Sequence, residues 1–208
     1  MIKCVIVEDN VLVQKYFIQM IEGNPRFKLL AGVTDAFDAE KLCEENVVDL
    51  VLMDVQTKNN HSGLAASKRI KAASPNVKVV VVTSLVDPEV LRIAKESADS
   101  LWYKDHGEEE IITVINRTLA GERIFPDEAP TIALKEILSN ELSQKQTEIL
   151  RMFVKGYTYA EMAKELDITT YAVRWHLDQI VARGGFENKH ELLATLLNSK
   201  FLTTLIDD

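Results

Sequence analysis

The chain has few of the residues that mark secreted, membrane or low-complexity proteins. Its two cysteines, Cys4 and Cys43, lack CxxC or metal-ligand spacing, so we expect buried free thiols rather than a disulfide or a zinc site. Only 8 glycines and 5 prolines occur among 208 residues, and none forms a low-complexity tract. No apolar run approaches the roughly 20 residues that span a bilayer, and no signal-peptide pattern precedes the first strand. These absences predict no membrane association and a location in the reducing cytoplasm.

Positive charge is also in short supply. The net charge is -8 and the isoelectric point is near 5.1, which argues against a protein that coats nucleic acid or anionic membrane nonspecifically. Any contact with nucleic acid must therefore be local. Hydrophobic residues make up 47% of the chain, which is enough for real cores, and the length favours two domains.

The first half alternates short runs rich in valine and isoleucine with helical patterns, which predicts an α/β doubly wound fold with a five-stranded parallel sheet. No GxxxxGK or GxGxxG motif follows the first strand, so nucleotide binding has little support. The expected strands lie at residues 4–7, 27–33, 50–53, 77–82 and 100–103, and the expected helices at about 10–22, 36–45, 63–73, 87–97 and 107–120.

Asp54 ends the apolar run Leu50 to Met53, which is typical of a strand buried on both faces. A carboxylate there projects into the crevice where open α/β sheets bind ligands, so Asp54 is a candidate nucleophile or metal ligand. A turn aspartate or a helix cap is an equally good interpretation of this stretch alone.

Polar residues follow three other strands and favour the first interpretation. Glu8 and Asp9 follow the first strand, and three carboxylates at one edge need a cation or protons to offset their repulsion. Oxygen ligands with open positions suit Mg²⁺, or Mn²⁺. Thr83 and Lys104 add a hydroxyl and an ammonium at two further strand ends. Each has an ordinary explanation alone, as a helix-entry acid, a strand-end hydroxyl or a solvated lysine, but together they form a strong signal.

The second half is helical. Two prolines, Pro126 and Pro130, lie in a segment without periodicity, so we place a linker at residues 124–140, between domains at 1–123 and 141–208. Residues Thr131 to Leu138 have the pattern of a short helix. Further helices are expected at 143–155, 158–166, 169–182 and 189 to about 203.

In the helix expected at 169–182, Val173, Leu177 and Ile180 follow the i, i+4, i+7 rule and face a core. The opposite face is bulky and polar. Two short helices joined by a tight turn suggest a helix-turn-helix, although many small bundles show the same periodicity.

Residues 1 to about 123 resemble the receiver domain of bacterial two-component response regulators. The resemblance implies that a partner histidine kinase phosphorylates Asp54. It implies that Asp9 and Asp54 bind Mg²⁺ directly, with Glu8 acting through water and Gln56 offering its backbone carbonyl. It further implies that Thr83 hydrogen-bonds the phosphoryl group and that Lys104 pairs with it.

The match has departures. Thr57-Lys58 stands where receivers commonly have Met-Pro, and Gly63 lies one residue further on than usual, which predicts a more mobile loop. Leu101 occupies the place of the aromatic switch residue.

Residues 142 to about 201 resemble the DNA-binding domain of the LuxR/NarL type, matching Gly156, Glu161, Ala163, Leu166 and Val173 among others. The two matches together give the NarL/FixJ architecture. The resemblance places Arg174, Trp175 and Asp178 nearest base edges in the major groove. Five further residues are candidates for contact with DNA phosphates: Thr158, Thr169, Thr170, Tyr171 and Arg183.

The sequence therefore predicts a transcription factor, not an enzyme, whose phosphorylation at Asp54 controls dimerisation and binding to double-stranded operator DNA. One alternative is a regulator that acts through a protein partner. Another is a phosphatase with an aspartyl-phosphate intermediate of the haloacid-dehalogenase type. That enzyme needs an aspartate two residues after the nucleophile, where this chain has Gln56.

Overall fold

A computed structural model describes residues 1–105, 107 and 110–202 of the chain. These residues fall into two compact units. One comprises residues 1–84 and 88–129, and the other comprises residues 85–87 and 130–202. The segment predicted as a linker, 124–140, is thus divided between them. Within the described residues, no helix is long and apolar enough to cross a membrane.

The first unit is a parallel sheet of five strands in the order β2-β1-β3-β4-β5, which confirms the predicted fold class. This order places β1 and β3 side by side, so that their carboxyl ends lie at the same edge. The strands are β1 (Ile2–Val7), β2 (Phe27–Val33), β3 (Leu50–Asp54), β4 (Lys78–Thr83) and β5 (Ser100–Tyr103).

Five helices connect the strands of this unit: α1 (Val11–Glu22), α2 (Ala36–Glu45), α3 (Gly63–Ala73), α4 (Pro88–Ser97) and α5 (Ile111–Leu119).

The centre of the sheet is buried. All five residues of β3 are buried, as expected for a strand covered on both faces. The core cluster includes Phe17 and Ile21 of α1 and Ile115 of α5. The predicted start of the fifth helix, at 107, is wrong, because α5 begins at Ile111 with Glu110 as its N-cap. Residues 106, 108 and 109 lie outside the described part of the chain.

The second unit holds the helices α6 (Gln144–Val154), α7 (Tyr159–Glu165), α8 (Thr170–Arg183) and α9 (Lys189–Asn198). Val173, Leu177 and Ile180 of α8 are all at most 1% exposed, so the predicted core face is confirmed. The last helix ends at Asn198, with Ser199 as its C-cap, rather than at about 203; residues 203–208 lie outside the described part.

The short helix predicted over Thr131 to Leu138 is wrong. This segment is an antiparallel hairpin of β6 (Ala133–Leu134) and β7 (Ile137–Leu138). Its turn residue Lys135 has φ 61°, and its ammonium donates to the carbonyl of Gly185 at 2.6 Å and to Glu191 at 2.7 Å. Tertiary contacts thus override the local helical pattern.

Candidate functional site

Three carboxylates meet at the carboxyl edge of the sheet. Asp54 is the last residue of β3, and Glu8 and Asp9 follow β1. The pairing of Val7 with Met53 brings these strand ends level. One carboxylate oxygen from each residue lies within 4.8 Å of the others. Glu8 and Asp54 are only 1% and 6% exposed, whereas Asp9 is exposed, so the cluster opens to solvent on one side.

Lys104 supplies the counter-charge. Its Nζ lies 2.5 Å from Glu8 Oε2 and 2.8 Å from Asp54 Oδ2. The backbone holds this lysine in place, since the Lys104 N–H donates to the Thr83 carbonyl at 2.8 Å. Because the side chain is only 13% exposed, the ammonium faces the carboxylates rather than bulk water. The ion pairs offset part of the charge that burial makes costly.

Burial dominates the electrostatics of Asp54. Desolvation raises the pKa of its carboxyl to about 7; the Lys104 ammonium opposes this shift, and the nearby charge of Glu8 adds to it. For Lys104, burial lowers the pKa, but Asp54 and Glu8 outweigh burial and raise it. The lysine therefore stays charged, whereas Asp54 is poised to gain or lose a proton near neutral pH.

The donor set fits a hard divalent cation. All three side chains offer oxygen, the ligand that Mg²⁺ prefers and that also suits Mn²⁺. Lys104 occupies Glu8 Oε2 and Asp54 Oδ2, while Glu8 Oε1 and Asp54 Oδ1 accept from the N–H groups of Asn10 and Val55. Each oxygen retains a further lone pair. Gln56, the predicted carbonyl ligand, is exposed just beyond Asp54 and bridges to Ser62.

Thr83 ends β4, beside the strand that carries Asp54. Asp54 pairs with Val82 in the sheet register, and Thr83 pairs with Tyr103, the residue before Lys104. Thr83 is 1% exposed. The structure therefore gathers all the strand-end residues predicted for this site, namely Glu8, Asp9, Asp54, Thr83 and Lys104.

Gly63 is required for the close approach of α3 to β3. A Cβ at this position would lie 1.8 Å from the carbonyl oxygen of Asp54 and 3.0 Å from the side chain of Met53. The Gly63 N–H donates to the Val55 carbonyl at 3.0 Å. Only glycine lets the helix start here. Because this fixes the start of α3, the conformation of the preceding loop has to accommodate its additional residue.

Asp35 holds that loop, although it was not among the site residues predicted from the sequence. Its two carboxylate oxygens accept from the Asn59 amide at 2.7 Å and bond the His61 ring at 2.6 Å. It also caps α2 through the Phe37 N–H at 2.9 Å. Burial raises the pKa of Asp35, but the bonds from His61, Phe37 and Asn59 outweigh it and lower the pKa overall. The position of Asp35 just after β2 was the available signal.

The loop itself has a defined shape. Asn59 and Asn60 have φ of 62° and 59°, a left-handed conformation that asparagine tolerates better than most residues. The Thr57 hydroxyl donates to the His61 carbonyl at 2.7 Å. The expected mobility is therefore opposed by several hydrogen bonds, none of which depends on a proline.

In the second unit the predicted contact residues share one property: the structure leaves every one of them exposed. They are Thr158, Thr169, Thr170, Tyr171, Arg174, Trp175, Asp178 and Arg183. Tyr171 and Trp175 are 76% and 48% exposed, and because they are four residues apart on α8 they present two large aromatic side chains on one face of the helix.

Two of the predicted phosphate contacts are also helix caps. Thr158 forms a capping box with Glu161 at the start of α7, and the Thr169 hydroxyl accepts from the Ala172 N–H at the start of α8. Capping explains these threonines without any ligand. Their exposure leaves their hydroxyls accessible as well, so capping and contact with a ligand are compatible.

Asp178 and Arg174 have neighbours that were not predicted from the sequence. Lys189 Nζ lies 2.7 Å from Asp178 Oδ1, and the Arg174 guanidinium lies 6.0 Å from the centre of the Tyr159 ring. Tyr159 and Lys189 are the first residues of α7 and α9. Nothing in the sequence pairs these residues with α8, because only the packing of three helices brings them together.

Comparison with known families assigns a class to both units. The response regulator receiver domain matches residues 4–116, more than half of the chain, and the luxR family of bacterial regulatory proteins matches residues 140–195. The chain therefore belongs to the two-component response regulators of the NarL/FixJ type, with a receiver domain followed by a LuxR-type helix-turn-helix domain.

Individual relatives are similar over nearly their full length. The oxygen regulatory protein NreC of Staphylococcus aureus (strain JH9) is 26% identical over 214 residues, covering 96% of this chain and 99% of NreC. RcsB from Salmonella enterica serovar Typhimurium, solved bound to a promoter with the phosphomimetic BeF3−, has a TM-score of 0.61 at 18% identity, covering 94% of this chain and 97% of RcsB.

A LuxR-family response regulator from Aurantimonas sp. SI85-9A1 has a TM-score of 0.55 at 24% identity and covers 60% of this chain and 89% of its own. At these identities the likeness to solved structures concerns the fold alone.

Proposed function

We propose that Asp54 accepts a phosphoryl group from a partner histidine kinase and that phosphorylation promotes dimerisation and operator binding. The observation that carries the proposal is the contact of Lys104 with both Asp54 and Glu8 at the edge of the sheet. Phosphoryl transfer requires mainly positioning and charge neutralisation. A buried carboxylate flanked by two acids and one ammonium offers groups that can supply both.

In the proposed step, a carboxylate oxygen of Asp54 attacks the phosphorus of a phosphohistidine. The P–O bond forms as the P–N bond breaks, and the departing imidazole nitrogen takes up a proton. The Lys104 ammonium then pairs with a phosphoryl oxygen in place of the Asp54 oxygen, and the Thr83 hydroxyl donates to another. Glu8, Asp9 and Asp54, with the Gln56 carbonyl, would hold Mg²⁺ (or Mn²⁺), which neutralises charge on the transferring group when bound.

The second unit supplies the output. We infer that α8 enters the major groove of double-stranded DNA, with Arg174, Trp175 and Asp178 at base edges. The exposure of Tyr171 and Trp175 supports a partner on this face. The DNA phosphates would be contacted by Thr158, Thr169, Thr170, Tyr171 and Arg183. RcsB, which shares the fold, was solved bound to a promoter, and this adds support by analogy.

The test combines selection of bound sequences from random DNA with sedimentation, using the full chain with and without a small phosphodonor. We expect the phosphodonor to raise the dimer fraction and the affinity for one selected sequence, and D54A to abolish both effects. An exposed aspartate on α2, changed in D38N, is the matched control and should respond like the wild type.

Equal dimerisation and equal affinity with and without phosphodonor would remove the proposed switch. A dimer that forms on phosphorylation without any preferred DNA sequence would instead favour output through a protein partner. Steady release of phosphate from small phosphate esters by the wild type but not D54A would favour the phosphatase.

A further inference from the structure

Four side chains from three helices form a cluster on the exposed face of α8. Tyr159 opens α7, Arg174 and Asp178 lie on α8, and Lys189 opens α9. Lys189 Nζ is 2.7 Å from Asp178 Oδ1 and 5.4 Å from the centre of the Tyr159 ring. The Arg174 guanidinium is 6.0 Å from the same ring. One ring therefore lies beneath two cations, and one of these cations is paired with a carboxylate.

The exposures show which groups are offered to a partner. The Asp178 side chain is 57% exposed, whereas that of Lys189 is 25% exposed. The carboxylate is thus presented on the surface, and it forms an ion pair with the less exposed lysine. Arg174 and Asp178 are four residues apart, so they project from the same face of the helix one turn apart.

Charge makes the support necessary. An unpaired carboxylate beside DNA would be repelled by the phosphates, and this chain already carries a net charge of -8. Lys189 neutralises Asp178 at Oδ1. Because a carboxylate accepts hydrogen bonds at both oxygens, the paired Asp178 can still accept from a cytosine N4 amine, which is its complement in the major groove.

Tyr159 provides the equivalent support for Arg174. A cation is attracted to the face of an aromatic ring at this distance, and a guanidinium resting on a ring loses rotamer freedom before it meets a base. Held there, its fork can donate to O6 and N7 of guanine.

We propose that Lys189 and Tyr159 determine base preference by positioning Asp178 and Arg174, so that α8 reads a cytosine and a neighbouring guanine in each half-site. This inference rests on the proposed binding of DNA by α8. It assigns specificity to two residues that lie outside the recognition helix.

The first test compares the full-length wild type with K189M, D178N and the double variant, by selection of bound DNA and by affinity titration. We expect K189M to weaken binding to the selected sequence about tenfold and to lose the preference for cytosine at one position per half-site. The double variant should recover the affinity, because no unpaired charge remains, but not the preference. The matched control is K145M, which breaks the Lys145–Glu148 pair on α6 at 3.0 Å and should change neither quantity by more than about twofold.

The second test concerns the ring. Y159F keeps the ring and should keep the guanine preference, whereas Y159L should lose it at the position next to the cytosine. Thermal melting establishes that each variant is folded. If K189M or Y159L unfolds, K189R and Y159F become decisive, because both keep the proposed interaction and must retain the wild-type preference.

Unchanged sequence preference in folded K189M and Y159L would overturn the inference while leaving the proposed function intact. Additive effects of D178N and K189M would also overturn it, since residues that act as a pair show coupling. A wild type that selects no sequence at all would overturn the proposed function, and this inference with it.

Discussion

At the scale of single residues, Asp54 combines burial with the capacity to carry charge. It lies at the end of a buried strand and is only 6% exposed. Its two carboxylate oxygens accept hydrogen bonds from the Lys104 ammonium and from the Val55 N–H. These contacts do not fully compensate for desolvation, because the pKa remains raised. A site that favours the neutral acid without its cation gains most from a divalent ion, which restores the charge balance.

The raised pKa gives stability a pH dependence of known sign. The pKa is about 7 in the folded protein and near 3.8 in the unfolded chain, so between these values the folded state binds the additional proton and stability falls as pH rises. D54N removes this penalty. Without divalent cations it should be more stable than wild type above pH 7, by roughly 1–3 kcal/mol, and about equal near pH 4.

Urea denaturation at both pH values measures the difference, with D38N as the matched control. A wild type as stable as D54N at the higher pH would contradict the prediction.

Gly63 offers a second test at the residue scale. In G63A the new Cβ would meet the Asp54 carbonyl oxygen at 1.8 Å, and backbone rather than a flexible side chain must yield. We expect a loss of about 3 kcal/mol of stability. The control is G32A, whose Cβ would meet side-chain atoms alone, Ile18 Cδ1 at 3.0 Å and Gln14 Cδ at 3.6 Å. Equal losses in the two variants, measured by chemical denaturation, would show that α3 can shift away from β3.

At the scale of elements, the loop between β3 and α3 is fastened to the start of α2. Asp35 makes both attachments, to Asn59 and to His61. This contact explains how a loop without proline keeps its shape beside Asp54. The structure thus replaces the stiffness of the usual Met-Pro pair with side-chain hydrogen bonds.

D35A tests this attachment against a matched cap. Asp35 and Asn10 both cap helices, but only Asp35 also holds the loop. D35A should cost about 2–3 kcal/mol and N10A about 1 kcal/mol. Hydrogen exchange at residues 58–61 should accelerate in D35A alone. Equal protection of this loop in both variants would mean that Asp35 acts only as a cap.

The strand edge at β5 carries a second connection between elements. Ile124 bridges in parallel to Ser100, with the Leu101 N–H donating to the Ile124 carbonyl at 2.9 Å. The buried Ser100 hydroxyl accepts from the Ile124 N–H at 3.1 Å and bonds Thr118 at 2.7 Å. A backbone hydrogen bond thus links Leu101 of β5 to the segment after α5.

S100A should therefore destabilise the protein by about 1–2 kcal/mol, because it leaves the Ile124 N–H without its acceptor. Ser97 is the matched control: it is also buried, but its hydroxyl only donates to the Ile93 carbonyl within α4. S97A should cost less, since such bonds within a helix contribute little. Thermal melting compares the two, and a larger loss in S97A would refute the role of Ser100.

At the scale of the whole molecule, charge limits how the chain can bind DNA. The net charge of -8 and the few cations exposed on α8 imply few phosphate contacts for each copy. Affinity and its salt dependence both scale with the number of phosphates neutralised. Two copies on two half-sites double that number, so dimerisation should be visible in the salt dependence itself.

For the unphosphorylated chain we expect the slope of log affinity against log salt to be about 3 or less in magnitude, and for the phosphorylated chain about twice as large. D54A with phosphodonor should keep the smaller slope. Titrations at several salt concentrations give both values. The same slope in both states would mean that phosphorylation does not bring a second copy onto the DNA.

The sequence by itself determined the class of the protein and most of its elements. Strand periodicity and the polar residues at strand ends are visible in the local sequence. The parallel order of the strands then predicts that one edge of the sheet holds Glu8, Asp9, Asp54, Thr83 and Lys104. The apolar spacing in α8 likewise fixed its core face. These features follow from contacts that repeat along the chain or from the geometry of the sheet.

Only the tertiary structure decided the rest. Residues 131–138 have a helical pattern, yet Lys135 bonds to Gly185 and Glu191 and the segment forms a hairpin. The partners of Asp35, and the pairing of Lys189 with Asp178, join residues that are far apart along the chain. No local propensity encodes such pairs, because their free energy exists only once the elements have packed.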